Sequence, residues 1–316
     1  MTIESIPVID IARLGDARTL AELDAACRDW GFFQVVNHGI GDDVIDRLMI
    51  ESRRFFAEPI AAKRAITRTA SNPWGFYDKE LTKNTRDWKQ IYDYGPADGD
   101  VMQPQWPQAL PGFRPAIYDY YTACEWLAFR LLGAIATNLG APADRLTRSF
   151  MPRHTSFLRL NYYPPCPQPE RPTGIATPLH GHLGINHHTD PGALTLLLQD
   201  RQPGLEVHRD GEWHLVEPRT GALVINVGDI VQVWSNDRYK AALHRVLANP
   251  TNERFSAPFF FSPAYSSEYA PLPTTTDAMR PAHYRPINWG EFYGKRTAGD
   301  FADHGEEVQI TQYRIA

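Results

Sequence analysis

The sequence predicts an α+β fold in which helices pack on an antiparallel double sheet. Up to about residue 150, apolar residues recur mostly at the spacing of an α-helix. From about residue 155 onward they alternate with a period of two, in short runs separated by Gly, Pro, Asn and Asp. Short strands with frequent turns are typical of a β-sandwich or barrel. Proline (26 of 316 residues) and aromatic residues (12%) are both abundant, which favours the same conclusion.

Three helices and two strands are predicted in the first region. The first helix begins at Thr19-Leu-Ala-Glu22, which matches a capping box. The second spans residues 42–56, and the third spans residues 117–139, where Gly140 and Pro142 stop it. The two strands span residues 7–10 and 32–37, and residues 72–106 are expected to be irregular.

Eight strands are predicted in the second region, each bounded by turn residues. In chain order they span residues 156–163, 193–199, 205–208, 213–217, 222–227, 230–234, 242–247 and 254–261. The predicted β core therefore comes mainly from the second half of the chain.

Composition and charge exclude several classes of protein. The balance of 32 Lys+Arg against 37 Asp+Glu gives a net charge of −5, which is no footprint for nucleic acid or an anionic membrane. The three cysteines (Cys27, Cys124 and Cys166) form no CxxC pair and suit a reducing compartment. No signal peptide is evident, and the most apolar helical stretch is too short to span a bilayer. We expect a cytoplasmic protein without a membrane or nucleic-acid partner.

Four of the eleven histidines lie between residues 180 and 188, in LHGHLGINHHTD. A single histidine in such a loop is usually satisfied by hydrogen bonds. Two pairs, His180/His182 and His188/Asp190, have the i, i+2 spacing that puts side chains on one face of an extended chain. An apolar strand (193–199) follows the second pair and would hold it rigidly, whereas the first pair lies among Gly and Pro. The second pair is the better candidate for a metal site.

His244 is the candidate third ligand, because it lies in a strand-like run 56 positions after His188. Two histidines and one carboxylate, with the remaining positions open, form the facial triad of non-haem Fe(II) oxygenases. The protein would then cover one face of the metal and leave three positions for a co-substrate and O₂.

Arg254 and Ser256 offer a guanidinium fork and a hydroxyl to one carboxylate, since they share a face of a predicted strand. An Arg beside a small polar residue is common on surfaces. Here the apolar run 257–261 indicates burial, and a buried Arg needs an anionic partner. On strand 156–163 the residues that share one face, and could form a second wall near the metal, are Arg159, Asn161 and Tyr163.

Seven motifs follow one another along nearly the whole chain: IPVIDIARL, WGFFQVVNHGI, NYYPPCPQPE, HHTDPGALTLLLQD, GLEV, GALVINVGDIVQVWSNDRYKAALHRVL and RFSAPFFFSP. In this order they resemble the isopenicillin N synthase-like family of Fe(II)- and 2-oxoglutarate-dependent dioxygenases. The resemblance implies a distorted double-stranded β-helix, a jelly-roll relative of the cupins, flanked by helices. It also implies a mostly helical N-terminal region (1–150), the β core (151–280) and a C-terminal segment near the active-site mouth (281–316).

The resemblance also implies roles for particular residues. Fe(II) would be bound by His188, Asp190 and His244. Arg254 and Ser256 would hold the distal carboxylate of 2-oxoglutarate, with Tyr163 and Asn161 assisting at that co-substrate. The implied reaction consumes O₂, oxidises a C–H bond of a small organic molecule and releases succinate and CO₂. The protein would supply geometry and a dry cavity.

Family substrates contact the irregular N-terminal stretch, the barrel mouth and the C-terminal helix. In this chain the candidate substrate contacts are Trp74, Phe76, Tyr77, Asn84, Trp88, Tyr92, Phe260 and Tyr293. Each could equally be a core residue, but together they favour a flat or apolar small molecule. Because no long amphipathic seam is evident, a monomer is expected.

Three alternatives stay open at this point. An isopenicillin-type oxidase would use the same triad without 2-oxoglutarate, and its Arg–Ser pair would bind the substrate. A non-catalytic small-molecule binding protein could share the fold, although binding alone needs no open iron positions. A zinc hydrolase on His180 and His182 lacks a third ligand and a placed general base.

Overall fold

Two large β-sheets, two small two-stranded sheets and flanking helices make up the computed structural model, which describes residues 5–298 and 308–315. The helices are α1 (Ala17–Asp29), α2 (Asp42–Ala57), α3 (Ile60–Arg64), α4 (Phe113–Asn138), α5 (Asp229–Trp234) and α6 (Trp289–Ala298). The strands are β1 (Val8–Asp10), β2 (Phe32–Val36), β3 (Gly75–Tyr77), β4 (Leu81–Thr82), β5 (Thr85–Arg86), β6 (Gln90–Tyr94), β7 (Phe157–Tyr163), β8 (Ile185–His188), β9 (Leu194–Gln199), β10 (Leu205–Arg209), β11 (Glu212–Leu215), β12 (Ala222–Val227), β13 (His244–Val246), β14 (Arg254–Phe261), β15 (Glu268–Tyr269) and β16 (Ile287–Asn288). The predicted α+β class is confirmed.

The larger sheet has the strand order β1-β2-β12-β9-β14-β7-β6-β3, and the smaller has the order β11-β10-β13-β8. Within both sheets every pair except β1–β2 is antiparallel. Phe32 and Leu197 of the larger sheet pack in one cluster with Leu205 and Val207 of the smaller sheet. The two sheets therefore face each other, and four strands of the larger one come from residues before 150.

Strand β14 shows how the period of two separates core from cavity. Its odd-numbered residues, from Phe255 to Phe261, are buried in the main hydrophobic cluster with the helices. Its even-numbered residues, from Arg254 to Phe260, line the cavity between the sheets. The neighbouring strand β7 alternates in the same way, with Leu158 in the cluster and Arg159 on the cavity. Polar side chains on these strands therefore point toward one site.

Helix α4 is the main element packed on the outer face of the larger sheet. It is buried along most of its length, so its side chains belong to the same cluster as those of β7, β9 and β14. The helix begins four residues earlier than predicted, since Pro115 lies in its first turn, where no backbone N–H needs a partner. It ends where predicted, with Gly140 in the left-handed region at φ 76°.

Residues 230–234, predicted as a strand, form helix α5 instead. An apolar run this short fits a buried strand and a buried helix equally well, so periodicity cannot separate them. Backbone hydrogen bonds favour the helix here, because the N–H groups of Asp229 and Ile230 donate to the carbonyls of Asp190 and Gly192. The first turn of α5 thereby holds the turn that follows β8.

Two further predictions in the N-terminal region were wrong. Residues 72–106 contain β3 to β6 rather than irregular structure. Strand β6 was missed because it is buried on both faces and so shows no alternation of burial. Helix α1 begins at Ala17 with Asp16 as its N-cap, which leaves Thr19 inside the first turn rather than at a capping box. Glu22 instead accepts a hydrogen bond from Arg18 at 2.9 Å.

Candidate active site

A cavity of about 360 Å³ lies between the two sheets. Strands β7, β9 and β14 of the larger sheet line one side, and β8 and β13 of the smaller sheet line the other. Helix α6 also contributes lining residues. The volume falls at the lower end of the range for small-molecule sites, about 300–1,000 Å³.

His188, Asp190 and His244 come together at the smaller sheet, with Asp190 in the turn that follows β8. His188 ends β8 and lies directly opposite His244, which begins the antiparallel strand β13. Asp190 Oδ1 lies 3.6 Å from His188 Nε2 and 3.7 Å from His244 Nε2. Within the described residues, this is the one group of three or more His, Cys, Asp or Glu side chains spaced to share a metal ion.

Backbone carbonyls orient both imidazoles. His188 Nδ1 donates to the carbonyl of Asn186 at 2.8 Å, and His244 Nδ1 donates to the carbonyl of Ala242 at 3.1 Å. Since a carbonyl oxygen can only accept, each Nδ1 carries the proton and each Nε2 keeps its lone pair. Metal-binding histidines typically have such an outer hydrogen bond.

Side-chain hydrogen bonds orient the carboxylate of Asp190. Its Oδ2 accepts hydrogen bonds from Thr195 Oγ1 and, at 2.7 Å, from Asn226 Nδ2. Its other oxygen, Oδ1, is the one that faces the two imidazoles. The protein therefore satisfies one carboxylate oxygen and leaves the other for an ion.

The charge states also suit a cation. Burial, together with repulsion from His244, lowers the pKa of His188 to about 3. Burial alone would raise the pKa of Asp190, but His244, His188 and its hydrogen bonds hold it below the usual value. Two imidazoles and one carboxylate, facing a cavity, fit Fe(II) at an open site.

Arg254 is a buried cation at the start of β14, with only 2% of its surface exposed. Within the described part of the chain its hydrogen bonds go to neutral side chains: Gln199 Oε1 at 3.1 Å and Ser256 Oγ at 3.5 Å. Its Nε is buried and has no hydrogen-bond partner among the described residues. The guanidinium also lies 5.0 Å from the centre of the Tyr163 ring. A buried guanidinium with neutral hydrogen-bond partners favours a carboxylate ligand.

Asn161 and Tyr163 lie beside this guanidinium because β7 pairs with β14. In the register, Tyr163 is opposite Arg254 and Asn161 is opposite Ser256. Asn161 Nδ2 donates to Ser256 Oγ at 3.3 Å, while its Oδ1 is buried without a partner in the described part of the chain. The residues predicted to bind 2-oxoglutarate thus form one patch on the same cavity as the histidines.

Comparison with known proteins agrees with this geometry. A sequence model of the 2OG-Fe(II) oxygenase superfamily matches residues 154–263, and one described as "non-haem dioxygenase in morphine synthesis N-terminal" matches residues 6–111. Flavanone 3-dioxygenase 2 of Oryza sativa subsp. japonica is 37% identical over 92% of this chain and 83% of its own. The chain belongs to the 2OG-Fe(II) oxygenase superfamily. The resemblance inferred from the motifs is confirmed.

Solved structures extend the agreement to the fold of this oxygenase. The JOX2 structure in complex with 2OG, Fe and JA has a TM-score of 0.84 and 30% identity, covering 98% of this chain and 88% of its own. A full-length Neurospora crassa protein, solved in complex with alpha-KG and thymine, has a TM-score of 0.80 and 27% identity, covering 93% and 96%. The jelly-roll core is confirmed. The protein is an oxidoreductase that uses Fe(II) and 2-oxoglutarate on a small molecule.

The predicted substrate contacts of this oxygenase fall in different places. Trp74, Phe260 and Tyr293 line the cavity. Phe76 and Tyr92, in contrast, are fully buried opposite each other on β3 and β6, where they pack with the helices. Because these strands were not predicted, the side on which their residues point could not be inferred from the sequence.

The remaining candidates also lie off the cavity lining. Trp88 packs on His182, with ring centres 4.8 Å apart, and its indole N–H donates to the carbonyl of Pro164. Tyr77 lies under Arg68, and Asn84 is exposed at a turn. His180 is exposed as well, so the His180/His182 pair gathers no third ligand within the described residues.

A buried ionic cluster on one side of the cavity was not predicted as a unit. We call it the charged wall, formed by Arg68, Glu80, Lys89, Asp93 and Arg159. Arg159 donates to both oxygens of Asp93 and to Glu80, at 2.7–2.9 Å. Only Arg159 had a sequence signal, its alternation with Leu158 and Leu160 on β7. The other members come from separate segments that only the folded topology brings together.

An aromatic shelf forms another part of the lining. Phe157 stacks on Phe260 with ring centres 4.7 Å apart, and Trp74 lies 6.1 Å from Phe157. Trp74 Nε1 is buried and finds no hydrogen-bond partner in residues 5–298 and 308–315. The cavity thus has an apolar region and a polar region. Within the described residues, no helix is long and apolar enough to cross a membrane.

Proposed function

We propose that His188, Asp190 and His244 bind Fe(II) and that Arg254 and Ser256 bind the distal carboxylate of 2-oxoglutarate. The observation that carries this proposal is the buried Arg254 guanidinium, which has an unpaired Nε and lines the same cavity as the three metal-binding candidates. When bound, Fe(II) would supply the chemistry by which O₂ oxidises both 2-oxoglutarate, to succinate and CO₂, and a C–H bond of the substrate.

In this proposal the protein's own residues select the co-substrate by its charge and its length. The guanidinium fork pairs with a planar carboxylate, and Ser256 contributes one further hydrogen bond. Tyr163 packs against the guanidinium, and the unpaired Asn161 Oδ1 offers an acceptor nearby. Since the anchor and the triad sit on rigid strands of facing sheets, a dicarboxylate of one length fits between them.

For the prime substrate we infer a flat aromatic or apolar body with a polar substituent. The aromatic shelf supports the apolar body, because stacked rings favour a flat ligand. The unpaired Trp74 Nε1 and the charged wall support a polar group on the same molecule. The relatives are consistent with a cyclic substrate: one is named for a flavanone and one structure holds thymine.

We further propose that the oxygenase acts as a monomer in the cytoplasm. All three cysteines are free and buried, as suits a reducing compartment. The sequence offers no extended amphipathic seam for a partner helix. Light scattering during size-exclusion chromatography measures the oligomeric state, and a dimer mass would overturn the first part of the proposal.

Succinate formation tests the proposed reaction. The enzyme, loaded with Fe(II) and 2-oxoglutarate under nitrogen, is exposed to O₂ in the presence of flat aromatic compounds with polar substituents. We expect some of them to stimulate succinate release, with one substrate oxidised for each succinate. Substrate oxidation that proceeds equally without 2-oxoglutarate would instead support an isopenicillin-type oxidase.

A further inference from the structure

We propose that Asp87 is a positioning residue for the iron ligand His188 and acts through Asn186. The inference rests on the iron site proposed above. The Asp87 side chain is completely buried, with 0% of its surface exposed. Its Oδ1 accepts two hydrogen bonds from Asn186, one from the backbone N–H at 3.1 Å and one from the side-chain Nδ2 at 3.3 Å. One carboxylate oxygen of Asp87 therefore accepts hydrogen bonds from both the backbone amide and the side-chain amide of Asn186.

Asn186 passes this constraint on to the metal site. It is fully buried in β8, and its carbonyl accepts the proton of His188 Nδ1 at 2.8 Å. A residue that is fixed at its N–H, its side chain and its carbonyl has little freedom to rotate. The imidazole plane of His188, and with it the direction of the Nε2 lone pair, is thus set by a contact that begins at Asp87.

Asp87 is itself held in one orientation by the opposite carboxylate oxygen. Its Oδ2 accepts hydrogen bonds from Thr82 Oγ1 at 2.8 Å and from Lys89 Nζ at 2.9 Å. Lys89 also pairs with Glu80 at 2.6 Å, so it ties Asp87 to the charged wall. The contacts on Oδ2 leave Oδ1 directed at Asn186, which is the geometry that a positioning role requires.

Outer residues of this kind typically alter metal affinity by about 10–100-fold when they are replaced. They do so without touching the metal, because the ligand's orientation and basicity depend on them. In such contacts the histidine donates to a carboxylate, a backbone carbonyl or water. In this oxygenase a backbone carbonyl is the immediate partner, and the carboxylate acts one residue further away.

Co(II) titration under nitrogen tests the inference, with the visible d–d bands of Co(II) reporting both affinity and ligand geometry. In Asp87→Asn the amide cannot offer the same charged acceptor to Asn186, while Lys89 keeps Glu80 as a partner. We expect Co(II) to bind about tenfold more weakly, with an altered d–d spectrum. The circular dichroism and the melting temperature show whether the variant is folded.

Asp237→Asn is the matched control. Asp237 also accepts several hydrogen bonds, from His283, Tyr284 and Arg314, but it does not line the cavity. We expect its Co(II) affinity and spectrum to equal those of the wild type. An equal loss of affinity in Asp237→Asn and Asp87→Asn would overturn the inference, because it would mean that general destabilisation weakens the site.

A second variant covers the possibility that Asp87→Asn does not fold. Asp87→Asn/Lys89→Met removes the buried cation together with the anion, and it is expected to show the same tenfold loss. His188→Ala separates the two proposals. If His188→Ala binds Co(II) like the wild type, the iron site itself is misassigned. If His188→Ala loses Co(II) but the folded Asp87 variants bind it normally, the positioning role alone is wrong.

Discussion

At the scale of single residues, the site depends on side chains that the protein leaves incompletely paired. Asp190 keeps one oxygen free of protein donors, and Arg254 keeps a buried Nε without an acceptor. Unsatisfied buried groups are unfavourable by about 1–3 kcal/mol each, so Arg254 Nε and Asn161 Oδ1, which have no partner among the described residues, indicate a ligand in the cavity that both residues line. Together with the free oxygen of Asp190, they support the proposed binding of a cation and a dicarboxylate.

Replacing Arg254 with Lys is expected to raise the KM for 2-oxoglutarate about tenfold or more. Lys keeps the charge but loses the paired N–H fork, and every ~1.4 kcal/mol is a factor of ten. Ser256→Ala removes one neutral hydrogen bond and should raise the KM less. Metal affinity, measured separately under nitrogen, should be unchanged in both variants. A normal 2-oxoglutarate KM in Arg254→Lys, with a lost response to the prime substrate, would move Arg254 to the substrate pocket.

Trp74 and Trp88 form a matched pair for testing the aromatic shelf. Trp74 lines the cavity and Trp88 packs on His182 instead. Trp74→Ala should raise the substrate KM about tenfold, since a buried aromatic contact contributes about 1.5–3 kcal/mol. Uncoupled 2-oxoglutarate turnover should stay the same. Trp88→Ala should lower the melting temperature without changing substrate preference, and the reverse pattern would contradict the placement of the shelf.

At the scale of elements, strand alternation predicted which residues share a face in the patch proposed to bind 2-oxoglutarate. Arg254 and Ser256 share a face of β14, and Asn161 and Tyr163 share the paired face of β7. Periodicity could not identify α5, because its buried apolar run fits a helix and a strand equally well. It also missed β6, whose burial on both faces removes any alternation.

The charged wall gives an element-scale prediction about pH. Burial alone would raise the pKa of Glu80, but Arg159, Lys89 and Arg68 hold it well below 4.5. A carboxyl whose pKa is lowered by folding stabilises the fold above its unfolded pKa, and this contribution is lost as pH falls through the folded pKa. Stability should therefore be retained at neutral pH and decline below about pH 4.5.

Glu80→Gln provides the comparison. Removing one partner from a buried ion pair destabilises by about 3–5 kcal/mol, so the variant should unfold at lower urea concentration at pH 7. The gap between variant and wild type should narrow as the pH falls below about 4.5, because the wild type then loses its advantage. Urea melts at several pH values measure this. A gap that stays constant down to about pH 3 would mean that folding does not lower the pKa of Glu80.

At the scale of the whole molecule, the active site exists because two sheets face each other. The larger sheet carries the patch proposed to bind 2-oxoglutarate, the smaller carries His188 and His244 with Asp190 in the turn after β8, and α6 lines the same cavity. The motif order along the chain allowed the fold and the use of Fe(II) and 2-oxoglutarate to be predicted. The charged wall and the Asp87–Asn186 contact could not be, because they join segments as far as 99 positions apart.

The most direct test of the central claim is anaerobic equilibrium dialysis of the enzyme with Fe(II) and 2-oxoglutarate. The account predicts one Fe(II) and one 2-oxoglutarate per chain. His188→Ala, Asp190→Ala and His244→Ala should lose the iron while remaining folded, whereas Arg254→Lys should lose affinity only for 2-oxoglutarate. Full iron binding by His244→Ala, or loss of iron in His180→Ala or His182→Ala, would contradict the account.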